Sequence, residues 1–172
     1  MSILESLVSI PAISRVRRNH GLEHATLHVL SQRFPRVSMA GHSDMRGFWL
    51  LGDVSLEAVQ ESIEEALARM RAGEHDLAVH EHCGTNFVTA GIMAGLAAGG
   101  SMFGVGRRFR DKLERLPLAV MMATVALIFS QPLGLLFQER VTTSGQPGNL
   151  EVLEITASKR GRINAYRVVT RG

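Results

Sequence analysis

Apolar and polar positions alternate along this chain with three different rhythms, and each rhythm predicts a different kind of element. Residues 2–10 form a short apolar segment stopped by Pro11, which predicts a short amphipathic helix. From Ile13 to Arg33, Val16, Leu22, Leu27, Val29 and Leu30 recur among Arg, His and Gln at helical spacing, and Phe34-Pro35 ends the run. Val37–Ala40 and Gly47–Leu51 read as two short strands around the turn-rich Gly41-His42-Ser43-Asp44, a hairpin. Ser55 then caps an amphipathic helix with Leu56, Val59, Ile63, Leu67 and Met70 on one face and Gly73 at its stop. Leu77–His80 reads as a short returning strand. Residues 1–83 thus predict a small α-β-β-α-β unit of the α+β class.

Beyond residue 83 the pattern changes. No charged residue occurs from Gly84 to Gly106, nor from Leu116 to Gln138, two runs of 23 residues each. At 1.5 Å per residue, either run is long enough to cross about 30 Å of hydrocarbon. The alternative is a buried helical hairpin in a soluble core. Two such runs joined by only nine residues favour a two-helix transmembrane hairpin over 84–138, with spans at 84–106 and 116–138 and the lipid bilayer as partner. Gly91, Gly95 and Gly99 repeat at four-residue spacing, a face on which helices of two copies can approach closely. Residues 139–172 start with a loop, Val141–Asn149, and continue as two alternating runs about Lys159-Arg160-Gly161. That predicts a C-terminal β-hairpin able to extend the N-terminal sheet.

Composition narrows the function classes. A length of 172 residues accommodates one domain and a membrane element. The formal charge of +3 is basic, but the Arg residues are dispersed and aromatics make up 5% of the chain, so a nucleic-acid surface is not expected. One cysteine, Cys83, excludes an intramolecular disulfide. The first residues lack a basic region and carry Glu5, so a cleaved signal peptide is not expected. Arg107–Arg115 holds five basic residues, which by the positive-inside rule puts this loop in the cytoplasm. A leading domain without a signal peptide argues the other way, and the orientation stays open.

All seven histidines precede residue 83. His20-Gly21-Leu22-Glu23-His24 has the form H-x-x-E-H. On a helix, His20 and His24 project from one face a turn apart, and Glu23 lies on the same edge. Two imidazoles in this relation can share a zinc ion, while the carboxylate can activate water. His80-x-x-Cys83 lets two more donors reach one ion from a turn. The candidate ligands are therefore His20, His24, His80 and Cys83, with Glu23 as general base. If all four bind, the zinc is closed and structural; with three, a position stays open for catalysis. His28 continues the helix face as an alternative or supporting ligand, and His82 alternates away from His80. His42 and Asp44 belong to the turn, and His75 and Asp76 to a helix exit. A second enzymatic arrangement is thiol acyl transfer by Cys83 with a neighbouring His and Asn86.

H-G-L-E-H resembles the zinc motif of the insulinase and pitrilysin peptidases. That resemblance implies His20 and His24 as zinc ligands and Glu23 as the base, with a third ligand from a Glu on a later helix, here Glu61, Glu64 or Glu65. More broadly, N-H-G-L-E-H-A-T followed by H-E-H-C-G-T-N and an apolar hairpin resembles an uncharacterised family of bacterial membrane proteins with a domain of unknown function. It covers most of the first 140 residues and implies membrane location and a pairing of the two motifs. The expectation is a membrane-bound zinc hydrolase, first of all a peptidase. The alternative is a non-enzymatic membrane protein whose His/Cys site holds metal structurally or only by hydrogen bonds.

Overall fold

Local chemistry sets the element boundaries in the computed structural model, which describes residues 3–161 and 163–172. A short helix, α1 (Ile3–Val8), precedes the long α2 (Pro11–Arg33). Pro11 sits in the first turn of α2, where its missing N–H would have had no partner and its fixed φ already suits a helix. Phe34 closes the other end by donating its N–H to Leu30 O, just before Pro35. The next helix, α3 (Leu56–Arg71), is capped by Ser55, whose Oγ accepts from Ala58 N at 3.2 Å. Glu57 at its start and Arg69 and Arg71 at its end suit the helix dipole. Gly73, at φ +103°, takes the chain out of the helix.

Four strands, β1 (Ala40–Asp44), β2 (Gly47–Leu51), β3 (Glu151–Arg160) and β4 (Ile163–Arg171), form one antiparallel sheet in the order β1-β2-β4-β3. The C-terminal hairpin does extend the N-terminal one; residue 162, between its strands, lies outside the described residues. Phe48, Leu50, Tyr166 and Val168 face inward with Gly41 and Ser43, and α2 and α3 cover that face. Val59, Ile63, Ala66 and Met70 supply the α3 stripe, and Leu22, Ala25, Val29 and Leu30 the α2 stripe.

Two local expectations are corrected. The hairpin turn is Met45-Arg46, and Gly41-His42-Ser43-Asp44 is strand rather than turn. Asp44 Oδ1 accepts from Arg46 N at 2.7 Å, and Gly47 takes φ +139° where a Cβ would stand 2.0 Å from Val168 O. Turn chemistry thus acts two residues later than composition suggested. Leu77–His80 is not a strand either: His75–Ala78 is a 3-10 turn. Leu77 and Ala78 are consecutive and both buried, which a turn against α2 permits and an alternating strand does not.

The chain divides into two units. One contains the described residues up to His80 together with those from Glu139 onward; the other is Glu81–Gln138. In the second, α4 (Gly84–Ser101) and α5 (Phe109–Phe137) pack against one another. The charged stretch Arg110–Arg115 is helical, with Arg110 paired to Glu114 at 3.0 Å, so α5 starts earlier than its uncharged run; Gly104, at φ +74°, lies in the turn before it. Asn86 donates to Glu81 O at 2.8 Å and accepts from the buried Gln138 at 3.2 Å, and Gly134 lets α5 come close to Asn86. Among the described residues one helical stretch, Phe109–Thr142, is long and apolar enough to cross a membrane. The glycine-rich α4 is not a second.

Candidate metal centre

Three imidazoles converge in the first unit. His20 and His24, one turn apart on α2, have ring centroids 4.3 Å apart at 64°. His80 follows the 3-10 turn, and its ring lies 5.9 Å from that of His24 at 51°. Rings bound through nitrogen to a tetrahedral zinc at about 2.1 Å would have centroids roughly 5 Å apart, so the two separations bracket the spacing a shared ion requires.

The backbone orients two of these rings. His20 Nδ1 stands 2.9 Å from Thr142 O, and His24 Nδ1 stands 2.9 Å from Ala78 O. A carbonyl can only accept, so each Nδ1 carries the proton and the lone pair sits on Nε2. This is the arrangement by which metal-ligating histidines are commonly held. Gly21 makes it possible. A Cβ there would lie 2.1 Å from Ser144 O, so only glycine lets the 142–145 segment come this close to α2. Ser144 N also donates to Arg17 O at 3.0 Å and secures the segment. Inside H-G-L-E-H the glycine therefore has its own structural task.

Glu23 is 3% exposed. It accepts a hydrogen bond from Ser43 Oγ on β1, and its Oε1 occupies space left by Gly41, where a Cβ would be 2.2 Å away. Burial raises its pKa above the ordinary carboxylate value, opposed by the Ser43 hydrogen bond and by the nearby His20 and His42. Ser43 and Gly41 escaped the sequence reading because they were given to a turn. Their shared parity with the inward-facing positions of β2 was the available signal.

The other candidates have different surroundings. Cys83 belongs to the second unit, where it is buried and caps α4, its Sγ accepting from Thr85 N at 3.4 Å; His82 lies in the same unit. Asn86 is committed to Glu81 and Gln138. His28 Nε2 is 3.0 Å from Gln32 Nε2. Glu61 and Glu65 engage Arg33, and Glu64 lines a groove along β3, so the carboxylates of α3 are taken up at its surface. Asp44 is held below its ordinary pKa, chiefly by the hydrogen bond from Arg167 and further by Arg46 N. On the opposite side of the sheet from Glu23, Arg160 and Arg167 lie over the Trp49 ring at 4.8 and 5.4 Å.

Comparison with known proteins bears on the family to which the chain belongs. A family model described as a domain of unknown function, DUF6391, matches residues 15–155 and so takes in both His20–His24 and His80–Cys83. An uncharacterised protein of Picosynechococcus sp. is 34% identical over 150 residues, 81% of this chain and 71% of that protein. No solved structure matches. With the model spanning most of its length, this chain belongs to the DUF6391 family.

Proposed function

We propose that this protein is a membrane-bound zinc-dependent hydrolase, in the first instance a peptidase. The observation that carries the reading is the closeness of the His24 ring to those of both His20 and His80, with Nδ1 of His20 and of His24 held by backbone carbonyls so that Nε2 is left to serve as donor. These three would hold the ion. Cys83, three residues beyond His80 in the chain, is the proposed additional donor. Zinc, when bound, supplies Lewis acidity to the scissile carbonyl and acidifies water. Glu23 takes the proton of the attacking water and passes it to the leaving amine. Ser43 holds Oε2, which leaves Oε1 as the accepting atom. Burial favours proton uptake at Glu23, as a base that must also act as an acid requires.

The membrane part of the proposal rests on α5 and on the large apolar side chains exposed along α4 and α5, among them Phe87, Leu96, Ile128 and Phe129. In that setting α4 and α5 form a transmembrane hairpin in the lipid bilayer. Gly91, Gly95 and Gly99 have nothing within 4 Å of where a Cβ would stand, which supports their use against a second copy.

A structural zinc is the second reading, favoured by the depth of the site, since His24 as well as Glu23 is 3% exposed. Metal analysis of gently purified protein, alongside Glu23→Gln, separates the two. Bound zinc in both proteins, with peptide hydrolysis lost only in the variant, supports the hydrolase. Full cellular function with Glu23→Gln ends it, and wild-type protein without metal ends both zinc readings.

A further inference from the structure

A polar hollow of about 340 Å³ adjoins the candidate centre. Arg17, Asp76, Ala78, Glu139, Thr143 and Gln146 are among its lining residues. Two of them tie it to the histidines. Ala78 O accepts from His24, and Thr143 follows Thr142, whose carbonyl accepts from His20.

Arg17 lies one turn before His20 on α2. Its Nη2 donates to Arg140 O at 3.1 Å, but its Nε is buried with no hydrogen-bond partner among the described residues. Burial lowers its pKa. A buried, unsatisfied N–H on a cation is unfavourable, and a carboxylate meeting the planar fork of a guanidinium removes that penalty. The hollow falls within the usual size of small-molecule sites. Asp76 and Glu139 line the same space, so a multiply charged phosphate is repelled more than a single carboxylate.

We infer that this hollow is a carboxylate subsite in which Arg17 receives the terminal carboxylate of a peptide substrate. The inference rests on the hydrolase reading. It makes the enzyme one that acts near a chain end, with the anchor one helical turn from the ligand His20.

Calorimetric titration of the full-length protein in detergent, metal-free and zinc-loaded, tests it with four probes: N-acetylalanine, N-acetylalaninamide, N-acetylaspartic acid α-amide and inorganic phosphate. N-acetylalanine should bind about tenfold or more tighter than the other three in both metal states. Arg17→Gln should abolish that preference with the circular dichroism of the fold retained. Asp76→Asn, which leaves Arg17 in place, should tighten N-acetylalanine binding and admit phosphate; it decides the matter if Arg17→Gln does not fold. Equal binding of N-acetylalanine and its amide, phosphate binding as tightly to the wild type, or an unchanged preference in folded Arg17→Gln overturns the subsite. An equally tight side-chain carboxylate overturns the assignment to a chain end. Protein that holds zinc without this selectivity fails only here, whereas selective protein without zinc fails only the hydrolase reading.

Discussion

Leu50 in β2 is 2% exposed and Leu96 in α4 is 71% exposed, although each lies inside a regular element. The first unit buries one face of its sheet under two helices, with Glu23 buried among them. The second unit buries little: within the most apolar window of its long helix only 17% of residues are buried. A chain that folds its apolar groups inward in one half and leaves them out in the other has the distribution that the proposed membrane hairpin requires. Six of the seven histidines belong to the first unit, while His82 and Cys83 stand at the start of the second.

The largest expected effect tests that contrast directly. Phe48→Ala, at a fully buried position, should cost about 3–5 kcal/mol in thermal or denaturant unfolding. Phe129→Ala, at 62% exposure, should cost under about 1 kcal/mol in detergent. Equal losses would break the comparison. Next come the glycines. Gly21→Ala should destabilise by about 1–3 kcal/mol and weaken zinc binding, because the new Cβ meets backbone rather than a movable side chain. Gly95→Ala, where a Cβ meets nothing, should be neutral or stabilise by up to about 1 kcal/mol through helix propensity. A loss of dimer on Gly95→Leu, measured by cross-linking in bilayers, would support the small-residue face as a contact between copies; an unchanged dimer fraction, or no dimer in the wild type, would remove it.

Smaller effects sharpen the polar side. Ser43→Ala should cost about 0.5–1.5 kcal/mol and lower the hydrolytic rate more than zinc content, read by turnover and metal analysis together. Asp44 is held below its ordinary pKa, so its contribution to stability is present above the unfolded-state value near 3.9 and is lost as pH falls through the lower folded-state value. Acid unfolding of Asp44→Asn should accordingly show a shallower loss in that window. An unchanged acid limb would show that Arg167 adds nothing measurable there.

The elements with a clear period were legible: α2, α3 and the C-terminal hairpin stand where their spacing put them, give or take a turn, whereas of the two uncharged runs α4 ends at Ser101 and α5 already starts at Phe109. Segments governed by a single contact were not. His75–Ala78 became a 3-10 turn because two adjacent apolar residues are buried together and because Ala78 O faces His24. The hairpin turn moved because Asp44 bonds Arg46 N and because Gly47 meets β4. Helical spacing could place His20, Glu23 and His24 on one face. It could not reveal that Ser43 and Gly41 hold Glu23, or that Thr142, over 100 residues away, orients His20. Those relations are made by β1 and by Thr142, the last residue of a π-helical turn that follows α5; strand parity could show which face Gly41 and Ser43 share, but not which side chain meets them there.

The strand order β1-β2-β4-β3 has a consequence for how the chain is made. Strand β2 finds its inner neighbour only in β4, and Thr170 reaches back 151 positions to hydrogen-bond Asn19. At synthesis speeds of about 5–20 residues per second, β2 waits on the order of ten seconds for its partner to leave the ribosome. Through that interval, while α4 and α5 are being made, the nascent first unit carries an unpaired edge on β2. The exposed edge of β2 is therefore the place where a half-made chain is open to pairing with another copy.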